Sequence, residues 1–476
     1  MGKEITRSHF NKRDFSAFES RLREETALLQ EWFERDRFSP THGVGGFEVE
    51  CWLIDAEGYP APINNQFLDK LQSPLVVPEL AKFNVEINTP PQRLQGRALH
   101  RMQENLDNLW NLGNKVAATL YTRLIMTGIL PTVGEQMLSL ANISDRTRFR
   151  ALNEQVLRCR QGAPLELNIP GPQPLHTYHT DVMLESAATS FQIHLQVTPG
   201  RDARFYNAAL ILSAPMVAAC ANSPYLFGHD LWDETRIPLF EQAVSLCPPG
   251  GEDCPPGRVS FGRSYVQQSL MECFLENLHD HPVLMPELLD TPPPRLSHLR
   301  LHNGTIWRWN RPLIGFDADG TPHLRIEHRV AAAGPSVVDT LANAALFFGL
   351  VQSLATEAIP PESRLSFDRV CANFYAAARE GLRARAIWLG NREMTMRDLL
   401  LEKLLPMARQ GLEALGIARE DNEYYLGIIE ARVKSGRNGA GWQRSYVKKH
   451  GADMRALTAA YTEHQRRGTP VHEWDV

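Results

Sequence analysis

The chain has 476 residues, 43% hydrophobic and 22% charged, with a formal net charge of -5. That length supports one large domain or two to three ordinary ones with an ample core. The near-balanced charge gives no electrostatic case for nucleic acid or an anionic membrane as partner.

The start, MGKEITRSHFNKRDFSAFESRL, is charged and carries no apolar run of signal type. Gly2 and Thr6 match a myristoylation pattern, which is short and weakly specific. No apolar run reaches the roughly 20 residues that span a bilayer, and the longest, Leu341 to Val351, reads as a buried helix. The cysteines (Cys51, Cys159, Cys220, Cys247, Cys254, Cys273 and Cys371) are odd in number and without a CxxC pair. They predict a reduced, cytoplasmic protein.

Taken in order, Phe15, Phe18, Leu22, Leu28, Leu29 and Trp32 have helical spacing and predict an amphipathic helix over 13–38. Gly43, Gly45 and Gly46 follow, with no GK[ST] after them, so they are not a phosphate loop. FEVECWL alternates as a strand, with Phe47, Val49, Cys51 and Leu53 on one face and Glu48, Glu50 and Trp52 on the other. ELAKFNVEINTPP (79–91) does the same: Phe83, Val85 and Ile87 oppose Asn84, Glu86 and Asn88. A helix is expected over 96–121, a strand over Ile125 to Leu130 and a helix over Ser144 to Leu157. The Pro-rich APLELNIPGPQPLHTYHTDV reads as an irregular connection, unsuited to a central strand.

SFQIHLQV sets Phe191, Ile193, Leu195 and Val197 against Gln192, His194 and Gln196. Arg201 to Ala221 is a long apolar helix, and ANSPYLFG after it is a turn placed to close over a site. CPPGGEDCPPG (247–257) reads as a surface loop and TPPPR (291–295) as a connector. GTIWRWNRP is a fifth candidate strand. LRIEHRV sets Leu324, Ile326, His328 and Val330 against Arg325, Glu327 and Arg329. Beyond Pro335, Ser336 with Asp339 and Thr395 with Asp398 are helix-capping signatures, and four or five helices are expected over 336–466. The result is one α+β protein: a body over 1–335, and a helical region over 336–476 packed on it.

If the strands share a sheet, its polar face gathers Glu48, Glu50, Glu86, His194, Glu327, Arg325 and Arg329. Two unit charges ~4 Å apart repel by about 4 kcal/mol at an effective dielectric of about 20. Divalent cations relieve that cost, and carboxylates with a single imidazole suit Mg²⁺ or Mn²⁺. The competing explanation is a solvated outer face with incidental acids. A cation cluster beside Arg308, Arg311, Arg325 and Arg329 is what phosphoryl transfer from a nucleotide requires; balancing the glutamates directly is the alternative role for these arginines. His176, His179 and Asp181 have ligand types but sit in a Pro-rich loop, and His279, Asp280 and His281 end a helix before Pro282. GRNGAGWQR (436–444) reads as a helix end and turn, with phosphate binding as the sharper alternative. No Ser or Cys stands in a nucleophile motif.

Five pieces resemble the glutamate–cysteine ligase family of the glutamine-synthetase-like superfamily, in its carboxylate–amine ligase branch. They are FEVE at 47–50, Glu79 and Glu86 ahead of INTPP, IHLQV around His194, NSPYLFG at 222–228, and Glu327 with Arg329. The resemblance implies a curved, mainly antiparallel sheet forming an active-site funnel, with helices on its outer side. It implies Mg²⁺ and ATP, with Glu50, Glu79 and Glu86 on one ion and Glu48, His194 and Glu327 on another. Glu79 has the wrong parity to share a strand face with Glu86, so it must precede the regular strand. Arg329 would face the transferred phosphoryl group, with Arg325 and Arg308 beside it. Asn88 and Thr89 would contact the acidic substrate, and Arg308 or Arg311 would clamp its carboxylate. The implied chemistry joins two small molecules, an amino-acid carboxylate and an amine, through an acyl phosphate. Trp307 and Trp309 make a bulkier wall than cysteine requires, so other amine acceptors stay open. So do a phosphotransferase of the same fold and a catalytically silent, nucleotide-binding regulatory paralogue.

Overall fold

The structure is a computed structural model that describes residues 4–248 and 254–476. Its centre is a curled, eight-stranded sheet forming a half-barrel. The main path runs from the strand Asn310–Phe316 to Pro322–Ala332, Ser190–Val197, Val44–Ile54, Asn84–Asn88 and Val76–Pro78. The short strands Gln92–Arg93 and Arg123–Ile125 also pair with Val44–Ile54, and every pairing in this sheet is antiparallel.

The alternation read from the four main strands holds. Phe47, Val49, Phe191, Ile193 and Ile326 are buried, and the Phe47 and Phe191 rings meet edge to face at 5.2 Å. That apolar face packs on two long helices, Asp202–Cys220 and Val337–Thr356. His328 shares the face and stacks on Phe347 with ring centroids 4.3 Å apart. Both helices are long and apolar enough to cross a membrane, yet 89% of the apolar window of each is buried inside the protein. A helix covered on all sides must be apolar all round. Ser336 caps the second of them by accepting from the Asp339 amide at 3.2 Å, and Thr395 caps its own helix through the Asp398 amide at 3.1 Å.

Several elements depart from expectation. The strand expected over Ile125 to Leu130 ends at Ile125, because Gln465 takes over its backbone: Oε1 accepts from the Met126 amide at 3.0 Å and Nε2 donates to the Met126 carbonyl at 2.8 Å. The Pro-rich connection contains a separate hairpin, Leu165–Ile169 with Leu175–His179. GTIWRWNRP is two strands: Trp307–Arg308 pairs in parallel with Val259–Ser260, and Asn310–Phe316 joins the main sheet. Between 336 and 466 six helical stretches form instead of four or five, and the hairpin Arg385–Trp388 with Arg392–Thr395 interrupts them. Cys247 and Cys254 form a disulfide, with Cα atoms 5.3 Å apart, where reduced thiols were expected; Cys51, Cys159, Cys220, Cys273 and Cys371 are free. Part of the loop expected over 247–257 lies outside the described residues.

Candidate active site

Strand register brings the acids together. Glu48 lies opposite Asn88 and Glu50 opposite Glu86 across one pairing, while Glu327 lies opposite His194 across another. Directly opposed residues have Cβ atoms about 5 Å apart, so residues far apart in the chain become neighbours. Glu79 follows the short strand Val76–Pro78, whose Val77 pairs with Glu86. It therefore reaches the same surface from a strand end, without sharing the parity of Glu86. The polar face and the elements above it enclose a cavity of about 520 Å³, lined by Glu48, Glu50, Glu79, Glu86, His194 and Glu327 together. Above the sheet the lining mixes apolar side chains (Phe149, Leu152, Phe274, Leu299 and Trp307) with polar ones such as Arg148, Glu185 and Arg300.

Glu48, His194 and Glu327 offer ligand atoms within 4.8 Å of one another. His194 Nε2 lies 3.5 Å from Glu48 Oε1 and 3.6 Å from Glu327 Oε1, yet it is buried without a hydrogen bond. Burial lowers the imidazole to about 4, so at neutral pH the ring has no charge and keeps a lone pair to offer. Glu50, Glu79 and Glu86 form the other group. Burial, then the charge of Glu50, raises Glu79 to about 7, while burial with Glu48 and Glu79 holds Glu86 well above the carboxylate range. Glu50 is raised by burial although the Ser190 amide donates to it at 2.6 Å and Gln192 Nε2 at 2.7 Å. Five carboxylates, one neutral imidazole and an orphaned ring nitrogen are a donor set that fits hard divalent cations.

The arginines divide. Arg311 grips Glu327 with two hydrogen bonds, at 2.8 and 3.0 Å. Arg329 Nη1 donates to Glu327 Oε2 at 3.0 Å and also to Gln192 Oε1. Burial pushes the Glu327 carboxyl up, but Arg311 and Arg329 outweigh it and hold this group well below the usual range. Arg325 lines the cavity with a buried Nε that makes no hydrogen bond, and no carboxylate lies within ion-pair distance among the described residues.

Arg308 is a correction. It is buried away from the cavity, where Nη2 bonds Asn277 Oδ1 at 2.9 Å and Glu276 Oε1 at 3.0 Å. Its strand pairs with Val259–Ser260, so Trp307 faces the cavity and Arg308 the opposite side. Trp309 is buried too, donating from Nε1 to Glu241 at 2.9 Å, which leaves Trp307 alone as the bulky wall. Asn88 is on the polar face and donates to Glu86 at 2.8 Å, whereas the Thr89 hydroxyl turns back to the Phe47 carbonyl at 3.4 Å.

The remaining candidates are structural. His176 and His179 bond different acids, Glu166 at 2.8 Å and Glu135 at 3.0 Å, and Asp181 caps a turn through the Met183 amide. GRNGAGWQR is a helix junction, with Asn438 capping at Gly441 and Arg444 held by Asp230 and Asp233. ANSPYLFG closes nothing: Asn222 is fully buried, bonded to Gln443, Tyr461 and Glu234. Gln192, Arg300 and Glu185 line the cavity without having been singled out. Gln192 shares the parity of His194, a signal that was there to find; Glu185 lies on a short 3-10 turn that has no period to read.

The profile of glutamate–cysteine ligase family 2 matches residues 44–463. A glutamate–cysteine ligase from Francisella tularensis, solved in complex with AMP, shares the fold at a TM-score of 0.56 and 11% identity, over 90% of each chain. A bifunctional glutathione synthetase from Pasteurella multocida does so at 0.54 and 11% identity, over 94% of this chain and 55% of that longer one. No curated protein matches. With the family profile spanning the whole sheet and most of the helices packed on it, this chain belongs to glutamate–cysteine ligase family 2, and is with it an enzyme of the carboxylate–amine ligase type.

Proposed function

We propose that the chain is an ATP- and Mg²⁺-dependent ligase that activates a carboxylate, the γ-carboxylate of glutamate as the family implies, and passes it to an amine. The observation that supports this is the pair of acid clusters facing one cavity beside Arg329. In this reading Glu50, Glu79 and Glu86 hold one divalent ion, Mg²⁺ or Mn²⁺, and Glu48, His194 and Glu327 another. Bound there, the ions supply charge neutralisation and a template for phosphate oxygens.

The protein's own side chains do the rest. Arg329 is pinned by Glu327 and Gln192, so its guanidinium is already oriented where charge builds on the equatorial oxygens of a moving phosphoryl group. Arg325, with no carboxylate within ion-pair distance among the described residues, is a cation available to the nucleotide's phosphates. Arg311 is committed to Glu327, and its role is to keep that carboxylate ionised. Asn88 orients Glu86 through its side-chain amide, while Thr89, turned back to the Phe47 carbonyl, is left without a substrate role in this reading. The substrate carboxylate attacks the γ-phosphorus, ADP leaves, and the acyl phosphate then yields an amide to the amine. ATP use fits a cytoplasmic setting, whereas the Cys247–Cys254 disulfide does not add to that reading.

The test is ADP release from ATP, Mg²⁺ and glutamate across a panel of amines. Sustained phosphate release only when carboxylate and amine are both present is the expected result. Phosphate transfer to an amine without glutamate would favour a phosphotransferase, and silence with every pair would overturn the ligase reading.

A further inference from the structure

Besides its arginines, Arg148 among them, the cavity is lined by the carboxylates Glu48, Glu50, Glu79, Glu86, Glu185 and Glu327. Of these, Glu185 is the one that neither cluster uses. It sits on the 3-10 turn Val182–Ala187, whose Val182, Met183, Leu184, Ser186 and Ala187 are all buried. The turn is held rigid from both sides: the Val182 amide donates to Asn153 at 3.1 Å, Asp181 caps it, and the Ser186 hydroxyl bonds the Met183 carbonyl at 2.7 Å. Glu185 alone on this turn opens into the cavity, and no described group donates a hydrogen bond to its carboxylate. Glu185 is half-buried, and a carboxylate that opens into a cavity without a protein donor is free to meet a ligand there. Glu50 and Arg329 line the same cavity as Glu185.

Resting on the ligase reading above, we propose that Glu185 is the acceptor subsite: it receives the ammonium group of the incoming amine and takes its proton before attack. Phe149 and Leu152 line the same cavity, so the acceptor that fits is a primary amine carried on an apolar body. The ammonium gives one proton to the Glu185 carboxylate. The freed nitrogen lone pair forms the C–N bond, the C–O bond to phosphate breaks, and the departing phosphate takes the electron pair and the second nitrogen proton.

Benzylamine and its uncharged isostere benzyl alcohol serve as probes, titrated calorimetrically into the full chain with MgADP, so that the result does not depend on turnover. Wild type is expected to bind benzylamine at least tenfold more tightly than benzyl alcohol. Glu185→Gln is expected to erase that preference, leave MgADP affinity within twofold, and raise the acceptor KM in the ADP-release assay. A wild-type ratio near one overturns the proposal, and so does a preference that survives Glu185→Gln. A variant that shifts the Mg²⁺ requirement and leaves amine binding alone also overturns it, since Glu185 would then be a cation ligand. If Glu185→Gln does not fold, the wild-type ratio decides, with Glu185→Asp expected to keep the preference. Absence of ADP release with every substrate pair would count against the ligase reading, while the binding ratio would still judge Glu185.

Discussion

The two acid clusters of the cavity are built from the same residue type and solve the same problem in opposite ways. Around Glu327 the protein supplies its own positive charge, and Arg311 and Arg329 keep that carboxylate ionised in spite of burial. Around Glu50, Glu79 and Glu86 burial wins: it raises Glu50 against the pull of Arg329, and together with neighbouring acids it raises Glu79 and Glu86. In the proposed mechanism the first cluster is balanced mainly by the protein's own arginines and the second by an external cation. In the proposed mechanism, dependence on a divalent ion therefore resides chiefly in the second.

That contrast breaks most visibly at Arg329, which serves the first cluster and faces the second. Arg329→Met is expected to lower kcat by roughly 10³-fold, the effect of removing a charge aimed at a transferring phosphoryl group, with a smaller change in the KM for ATP. Steady-state kinetics checks it, and a loss below tenfold would remove Arg329 from the reaction centre. Glu86→Gln is expected to cost about 100-fold in turnover, with an unchanged circular dichroism spectrum and a raised Mg²⁺ requirement. Near-normal turnover would take Glu86 out of the cation site.

Glu79 sharpens the comparison through pH. Its carboxyl is raised to about 7 in the fold, above the usual carboxylate value. The folded state therefore binds a proton more readily than the unfolded one. The associated stability is present at low pH and is lost as pH rises through about 7. Thermal melting without metal should show wild type losing stability relative to Glu79→Gln between about pH 4.5 and about pH 7, the ordinary and the folded-state values of this carboxyl, with little further change above. Mg²⁺ should close the gap by stabilising wild type. A gap that is constant with pH would mean that Glu79 is ionised throughout.

Arg308→Met is the smallest effect on chemistry. It should leave kcat within about twofold while lowering stability by about 2 kcal/mol, since it strands Asn277 and Glu276 in a mostly buried setting. Equal activity and stability losses would instead return Arg308 to the cavity.

Much of this site was legible in the chain because strand periodicity is local. Glu48 and Glu50 must share a face when Phe47, Val49 and Cys51 are buried, and the same logic holds for His194 and for Glu327 with Arg329. Arg308 shows where that logic stops: GTIWRWNRP alternates without a break, yet the chain changes pairing partner at Trp309 and the face presented changes with it. Glu185 shows a second limit, since a six-residue turn has no repeat from which to infer a direction. The Pro-rich hairpin and the early end of the Ile125 strand were decided by distant groups, Gln465 above all.

By itself the amino-acid order determined which side chains of each strand share the polar, cavity-lining face and which face apolar helices, because neighbouring residues in an extended chain point opposite ways. Only the tertiary structure decided which strands lie side by side, and so which acids meet, which arginine answers them and which glutamate is left without a partner. Those outcomes depend on register between segments hundreds of residues apart, and no local period carries that information.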